Sequence, residues 1–212
     1  IPSPIETGSL LKKAKARYDI RYLKQIENLS KYTSSASKAL NLGVYGTDMS
    51  FASVFEQTQE TMLYLKCVNK LAVGLGIGAA FGEPTISRME SNNDNKDSLL
   101  QIISDAFWTA DAYLKKDNRQ SISALLIAGG WIEGLYIATE LAKNTNNEDI
   151  IKRVGEQKLS LNNLISLIKT YEQDENIKYI LEELQSLQEI YKDIELNQIK
   201  VEAKTTPQNK VT

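Results

Sequence analysis

Apolar residues recur at alternating steps of three and four along most of this chain, and this helical period constrains its fold more than any other feature. The cleanest stripe lies near the C-terminus and consists of Ile177, Ile180, Leu184, Leu187, Tyr191 and Ile194. Only four prolines and eleven glycines interrupt the 212 residues, so few positions oppose a helix. We therefore predict an all-α fold, an antiparallel helical bundle of about six to eight helices in a single domain.

Short polar segments divide the periodic stretches into separate helices. Asn-rich breaks at residues 92–95 and 144–147 carry side chains that can accept hydrogen bonds from the free N–H groups of a helix start. Residues 74–78 contain three glycines, where helix propensity falls and a stop is expected. Connections this short imply that neighbouring helices run antiparallel.

The two ends of the chain differ in composition from the middle. Pro2 and Pro4 restrict their own backbone and that of their neighbours, so we predict an N-terminal tether at residues 1–8. The last segment is polar and has no apolar period, and we predict a flexible C-terminal tail at residues 201–212. The helical-bundle domain is then expected over residues 9–200.

The composition argues against several classes of function. The chain has no histidine, which removes the commonest general base and the commonest transition-metal ligand. Its single cysteine cannot form an intrachain disulfide or a thiolate metal cluster, and we expect neither a metal nor a cofactor. A net charge of -2 offers no overall field for a polyanion, so we do not expect nucleic-acid binding.

No stretch of the sequence reaches the roughly 20 consecutive apolar residues that a membrane helix needs. The longest apolar runs, residues 71–82 and 124–132, are about half that length, and we interpret both as core. We therefore expect contact with a membrane only through a possible lipid anchor upstream of Ile1.

Three short motifs resemble functional signatures, but their contexts do not fit. Residues 74–79 mimic part of a dinucleotide-binding loop, yet a helical period precedes them where a buried strand is required. Residues 93–97 are rich in oxygen ligands but lack the glycine and the distant glutamate of a calcium loop, so we interpret them as a helix cap. Ser35 and Lys38 form a Ser-x-x-Lys match of a length that is common by chance.

The most unusual stretch contains two adjacent glycines inside a predicted helix, which cost about 1 kcal/mol each relative to alanine. Close approach of a second glycine-rich segment, around Gly43 and Gly46, would explain them by packing. Alternatively, the glycines form the floor of a ligand pocket with a polar anchor and aromatic walls. The candidate ligand-binding residues are Gly129, Gly130, Trp131, Glu133 and Tyr136, with Tyr45, Asp48, Glu60 and Tyr64 on the opposite wall.

Three parts of the chain resemble a known family when taken together. They are residues 39–48 with their continuation 57–62, residues 95–104, and residues 128–136. In these motifs the chain resembles a group of uncharacterised all-helical envelope proteins of Bacteroidota, which usually carry a signal peptide and are often predicted lipoproteins. The resemblance extends over most of residues 30–145. It implies export to the periplasm or the outer membrane, and it brings no catalytic residues.

We therefore expect an exported, non-catalytic helical domain that binds a protein partner or a small molecule near the glycine-rich helices. Two alternatives remain open. One is an enzyme that uses carboxylates or tyrosines in a helical cleft, for which a conspicuous pocket containing two converging acids would be the structural sign. The other is a scaffold or an oligomer-forming bundle, which would show an exposed apolar stripe on its last helix.

Overall fold

The structure is a computed structural model that describes residues 1–194, and in this range it contains α-helices and short 3-10 helices without strands. The α-helices are α1 (Pro4–Lys13), α2 (Ser35–Val54), α3 (Thr58–Gly74), α4 (Glu83–Ser91), α5 (Lys96–Lys116), α6 (Gln120–Thr145), α7 (Glu148–Lys169) and α8 (Glu175–Ile190). The 3-10 helices are Ile20–Tyr22, Ile26–Lys31 and Gly78–Phe81.

Helix boundaries follow the capping residues that the sequence offers. The side chains of Ser34, Asn95, Asn147 and Asp174 each accept a hydrogen bond from a backbone N–H in the first turn of the helix that follows. Helix α3 ends at Gly74, and Gly76 has a φ of 75°, a conformation that glycine adopts without steric cost. The glycine segment is therefore a helix stop, as predicted.

Helices α2 and α6 form the centre of the bundle and pack extensively against each other. Every residue of α2 from Tyr45 to Val54 is buried. Helix α6 also packs against α7, which in turn packs against α8, while α1, α3 and α5 cover the other sides of the central pair. The buried residues form one continuous core, so the prediction of an all-α, single-domain bundle is confirmed.

Helix α6 alone among the described helices is long and apolar enough to cross a membrane by length and composition. Its most apolar window has a mean hydropathy of 1.5, and 67% of that window is buried inside the protein. A helix surrounded by other helices needs apolar residues on all sides, so α6 has the composition of a core helix.

The N-terminal segment corrects the prediction of a tether at residues 1–8. Residues 4–8 belong to α1, which packs against α2 and α6 and buries Gly8. Pro4 is tolerated because it stands at the start of the helix, where its missing N–H would have no partner. Ser3 and Glu6 form a reciprocal capping box that stabilises this start.

A second feature concerns residues 14–34, since the apolar spacing of residues 10–30 predicts one helix or two short ones. The structure shows mainly irregular chain with two short 3-10 helices, and residues 24 and 25 of this segment are hydrogen-bonded to Tyr45, Asp48 and Tyr64 on α2 and α3. The tail predicted at residues 201–212 lies outside the described residues, as do the last residues of the predicted domain.

Candidate binding groove and buried acid pair

The glycines of α2 and α6 lie where the two helices cross. A Cβ atom on Gly129 would overlap the backbone carbonyl oxygen of Leu40, and one on Gly43 would overlap the carbonyl oxygen of Leu126. The hydroxyl of Thr47 donates across this crossing to the carbonyl oxygen of Gly130, at 3.0 Å. Gly43 and Gly129 therefore allow backbone contact between the central helices, and this contact offsets the cost of glycine in a helix.

Gly130 has a different environment from that of its neighbour. The nearest atom to a Cβ at Gly130 would be the hydroxyl oxygen of Thr47, at 3.3 Å, and no backbone atom is closer than 3.5 Å. The same residue lies on the wall of a groove between α5, α6 and the first residues of the chain. The glycine pair thus combines a glycine at the backbone contact with one that borders the groove.

The groove has a volume of about 410 Å³. Its wall is mainly apolar, with aromatic side chains from α5 and α6 and a few polar groups. It is lined by residues 1–5, Gly43, Ser50, Ile103, Ser104, Phe107, Trp108, Asp111, Ser123, Leu126, Ile127, Gly130 and Trp131.

Both tryptophans of the chain lie on the wall of this groove. Trp131 is buried, and its indole Nε1 donates to the hydroxyl of Ser160 on α7 at 2.9 Å, which holds the ring in place. Trp108 is 74% exposed, a large apolar surface to leave in water. The groove therefore has one fixed aromatic wall and one that is open to solvent.

Two carboxyl groups converge inside the protein, one from α2 and one from α6. Asp48 is fully buried and Glu133 is 7% exposed. The Oδ2 atom of Asp48 accepts the backbone N–H of Lys24 at 3.1 Å, whereas its Oδ1 atom has no hydrogen-bond donor. Two ionised carboxylates can only accept hydrogen bonds and therefore cannot bond to each other. A proton shared between Asp48 and Glu133 supplies the missing donor.

Burial is the main cause of the altered acidity of this pair. Removal from water raises the pKa of Glu133 to about 7. Burial, followed by the negative charge of Glu133, raises the pKa of Asp48 well above its ordinary value. The pair therefore holds a proton at pH values where exposed acids have lost theirs.

Three tyrosines surround the acid pair, and two of them hold the irregular segment in place. The hydroxyl of Tyr45 donates to the carbonyl oxygen of Gln25 at 2.7 Å, and that of Tyr64 donates to the carbonyl oxygen of Lys24 at 3.1 Å. The hydroxyl of Tyr18 is buried and has no partner, and burial together with the charges of Glu60, Asp48 and Asp19 raises its pKa. Residues 24 and 25 thus cover the acid pair.

The structure divides the predicted site residues between several places. Gly130 and Trp131 line the groove, and Gly129 belongs to the helix crossing. The predicted approach of the two glycine-rich helices is present, and it gathers the side chains of Asp48, Glu133, Tyr45 and Tyr64 in the interior. The other two predicted residues lie apart from this group. The charge of Glu60 contributes to the raised pKa of Tyr18, and the side chain of Tyr136 is 47% exposed at the surface.

The α5 side of the groove and the contribution of residues 1–5 were not predicted from the sequence. One signal was present, because Trp108 lies off the apolar stripe of its helix, which runs through Leu99, Ile103, Ala106 and Ala110. The participation of residues 1–5 depends on the docking of α1, which the periodicity did not reveal.

Comparisons with known proteins identified no matching family model, no similar curated protein and no similar solved structure. The site must therefore be interpreted from its own chemistry. Within residues 1–194, no group of three or more Cys, Asp or Glu side chains is placed to hold a metal ion. The groove and the acid pair are the two features that bear on function.

Proposed function

We propose that this protein is a non-catalytic binding domain that takes a small, mainly apolar molecule into the groove beside Trp131. The observation that carries the proposal is the groove of about 410 Å³ with both tryptophans on its wall. Ligand pockets in proteins commonly measure about 300 to 1,000 Å³ and combine apolar walls with a few polar groups. This groove has that size and that lining.

The shape of the groove favours a small molecule over a protein partner. A stable protein interface buries about 800 Å² on each partner and is usually broad. The groove is instead a concavity of about 410 Å³ between α5, α6 and the N-terminal segment, and Pro2 and Pro4 contribute to its lining. Proline rings already restrict the backbone of this segment, so a ligand that binds here loses less free energy in ordering it.

Binding of octan-1-ol, an uncharged apolar probe, tests the proposal through tryptophan fluorescence. Both tryptophans lie on the groove wall, and Trp131 also borders a smaller cavity beside α7, so the effect of removing Trp108 assigns the signal to the groove. We expect a saturable fluorescence change in the unaltered protein and a Kd about tenfold higher in W108A, a loss of roughly 1.4 kcal/mol. Trp131 remains as the reporter in that variant.

The exposed position of Trp108 makes W108A a clean variant, since its removal leaves no cavity in the core. Its melting temperature should equal that of the unaltered protein within about 2 °C. Absence of a saturable response, confirmed by native mass spectrometry, would refute the proposed function. An unchanged Kd in W108A would place the probe elsewhere.

The buried acid pair favours a second candidate, an enzyme that uses two carboxylates. Asp48 and Glu133 converge, and the proton they share is what a general acid requires. However, neither residue lines the groove, and Asp48 has no exposed surface through which a substrate could reach it. We therefore favour binding; turnover of a substrate that is lost in D48N would support the enzyme.

We also propose that the domain acts in the cell envelope, as an exported protein of the periplasm or the outer membrane. The support is the resemblance of residues 30–145 to all-helical envelope proteins. Fractionation of the source cells, followed by detection with an antibody against the domain, tests this location. Recovery in the cytoplasmic fraction would contradict it.

A further inference from the structure

A polar cleft lies apart from the groove, where the end of α2 meets the starts of α3 and α5. It has a volume of about 240 Å³ and shares no lining residue with the groove. This volume is smaller than the roughly 300 to 1,000 Å³ of pockets for drug-sized ligands, so it suits a smaller molecule. The cleft is lined by Ser53, Glu56, Gln57, Thr58, Thr61, Asn93, Asp94, Lys96 and Leu99.

Ser53, on the wall of this cleft, has a hydroxyl group without a hydrogen-bond partner. The residue is 2% exposed, and no group among the described residues donates to its Oγ atom or accepts from it. Serines in helices often donate to the carbonyl oxygen four residues earlier, as Ser50 does to Gly46 at 2.8 Å, but Ser53 does not. A buried hydroxyl without a partner lowers stability, and a ligand that supplies the missing bond would remove this cost.

The start of α3 adds unpaired donors beside Ser53. Its N-cap residue, Gln57, makes no side-chain bond to the first turn, and its amide group donates instead to the carbonyl oxygen of Phe55. Within residues 1–194, the first backbone N–H of this helix with an acceptor is that of Thr61. The N–H groups of residues 58–60 therefore remain available, and the positive end of the helix dipole favours a carboxylate at this place.

The ionisable side chains on the wall carry both signs of charge. Glu56 is already paired, because its Oε1 atom lies 2.6 Å from the Nζ atom of Lys12. Asp94 and Lys96 form no ion pair with each other or with any other described residue. The cleft therefore offers one unpaired carboxylate and one unpaired ammonium group.

A ligand with a single charge cannot match this wall. An anion would meet Lys96 and the free N–H groups but also Asp94, and a cation would meet Asp94 but also Lys96. A molecule that carries a carboxylate and an ammonium group on one short skeleton would find a partner for each.

We propose that this cleft is a second binding site, independent of the groove, and that it takes a free α-amino acid. The carboxylate of the ligand lies at the start of α3, where Ser53 and Lys96 are its side-chain partners. Its ammonium group lies at Asp94. Leu99, the apolar side chain on the wall, borders the ligand's own side chain.

Isothermal titration calorimetry with L-alanine, propionate and ethylammonium tests the proposal. Propionate lacks the ammonium group of alanine and ethylammonium lacks the carboxylate, while the remaining skeleton is the same. We expect L-alanine to bind roughly tenfold or more tightly than either probe. Propionate or ethylammonium that binds as tightly as L-alanine, or no binding of L-alanine at millimolar concentrations, would overturn the proposal.

Two variants assign the binding to the cleft. S53A removes a hydroxyl that bonds to no protein atom, so its melting temperature should not fall, while its Kd for L-alanine should rise about tenfold. D94N should reduce the affinity for L-alanine to that for propionate. Asp97 provides the matched control, since it is an exposed acid in the first turn of α5 that does not line the cleft, and D97N should leave the Kd unchanged.

Nuclear magnetic resonance gives a readout of where the ligand lies. The backbone amide signals of residues 58–60 should shift when L-alanine is added and stay in place when ethylammonium is added. A Kd for L-alanine that is unchanged in both S53A and D94N, or shifts confined to other residues, would place the amino acid elsewhere and refute the site. Octan-1-ol should bind S53A as it binds the unaltered protein, because the groove shares no residue with the cleft.

Discussion

Replacing Gly129 with alanine is expected to lower the free energy of unfolding by about 3 kcal/mol. The added methyl group would overlap the backbone carbonyl oxygen of Leu40, and a backbone atom cannot move aside by a change of rotamer. Helices α2 and α6 would have to separate at the centre of the core. Urea unfolding followed by circular dichroism measures this loss.

Gly134, on the same helix, provides a matched control. A Cβ at this position would lie 3.4 Å from a methyl carbon of Thr7, an ordinary contact. Alanine is favoured over glycine in a helix by about 1 kcal/mol, so G134A should be as stable as the unaltered protein or slightly more stable. A G129A variant that unfolds at the same urea concentration as G134A would disprove the helix contact.

The stability of the protein is expected to fall as the pH rises from about 4.5 to above 7, because of the acid pair. In this range an unfolded chain has released the proton of Glu133, whose ordinary pKa is 4.5, whereas the folded protein keeps it up to about pH 7. The folded state therefore binds more protons than the unfolded state, and stability decreases with pH. The loss from Glu133 is roughly 3 kcal/mol.

Replacing Asp48 with asparagine should flatten this dependence. The new amide oxygen can still accept the backbone N–H of Lys24, and the change removes a carboxyl group whose pKa burial raises well above its ordinary value. We expect D48N to exceed the unaltered protein in stability at pH 8 by roughly 2 kcal/mol, and to lose most of this advantage at pH 5. Urea unfolding at a series of pH values measures both curves.

Other acids do not obscure the effect. Asp19 has a pKa of about 2, because Arg21 donates hydrogen bonds to its carboxylate, and hydrogen bonds also lower the pKa values of Glu56 and Asp174. An acid with a lowered pKa changes its contribution below its ordinary pKa, and thus below the range of interest. Replacing the exposed Glu172 with glutamine controls for the loss of one negative charge, and its pH curve should run parallel to that of the unaltered protein. If the D48N curve is parallel as well, the shared proton does not exist.

The helices could be predicted because their signals are local. The apolar stripe that begins at Ile177 and the caps at Asn95 and Asn147 act within a few turns of chain, and the structure has helices at these places, although α8 ends at Ile190, before the last two residues of the stripe. The prediction of a tether at residues 1–8 failed. It relied on the backbone restriction by Pro2 and Pro4, whereas the capping box of Ser3 and Glu6 starts α1 at this point. The box was visible in the sequence and was overlooked.

The candidate site could be predicted only in part. The cost of two adjacent glycines indicated that α2 and α6 approach each other, and this approach brings Asp48 and Glu133 together. The sequence could not show which glycine makes the contact, because Gly129 and Gly130 differ only by the 100° turn between neighbouring helical residues. That rotation directs one toward Leu40 and the other toward the groove.

The amino-acid sequence by itself determined the helical class, most helix boundaries and the absence of imidazole chemistry, since these depend on residue type and on spacing over a few turns. Only the tertiary structure decided that the acids share a buried space and that Trp108, Asp111 and Trp131 border one groove. These residues come from separate helices, and their distances are set by how closely the helices pack. The glycines at the crossing, which replace side-chain volume with backbone contact, set that separation.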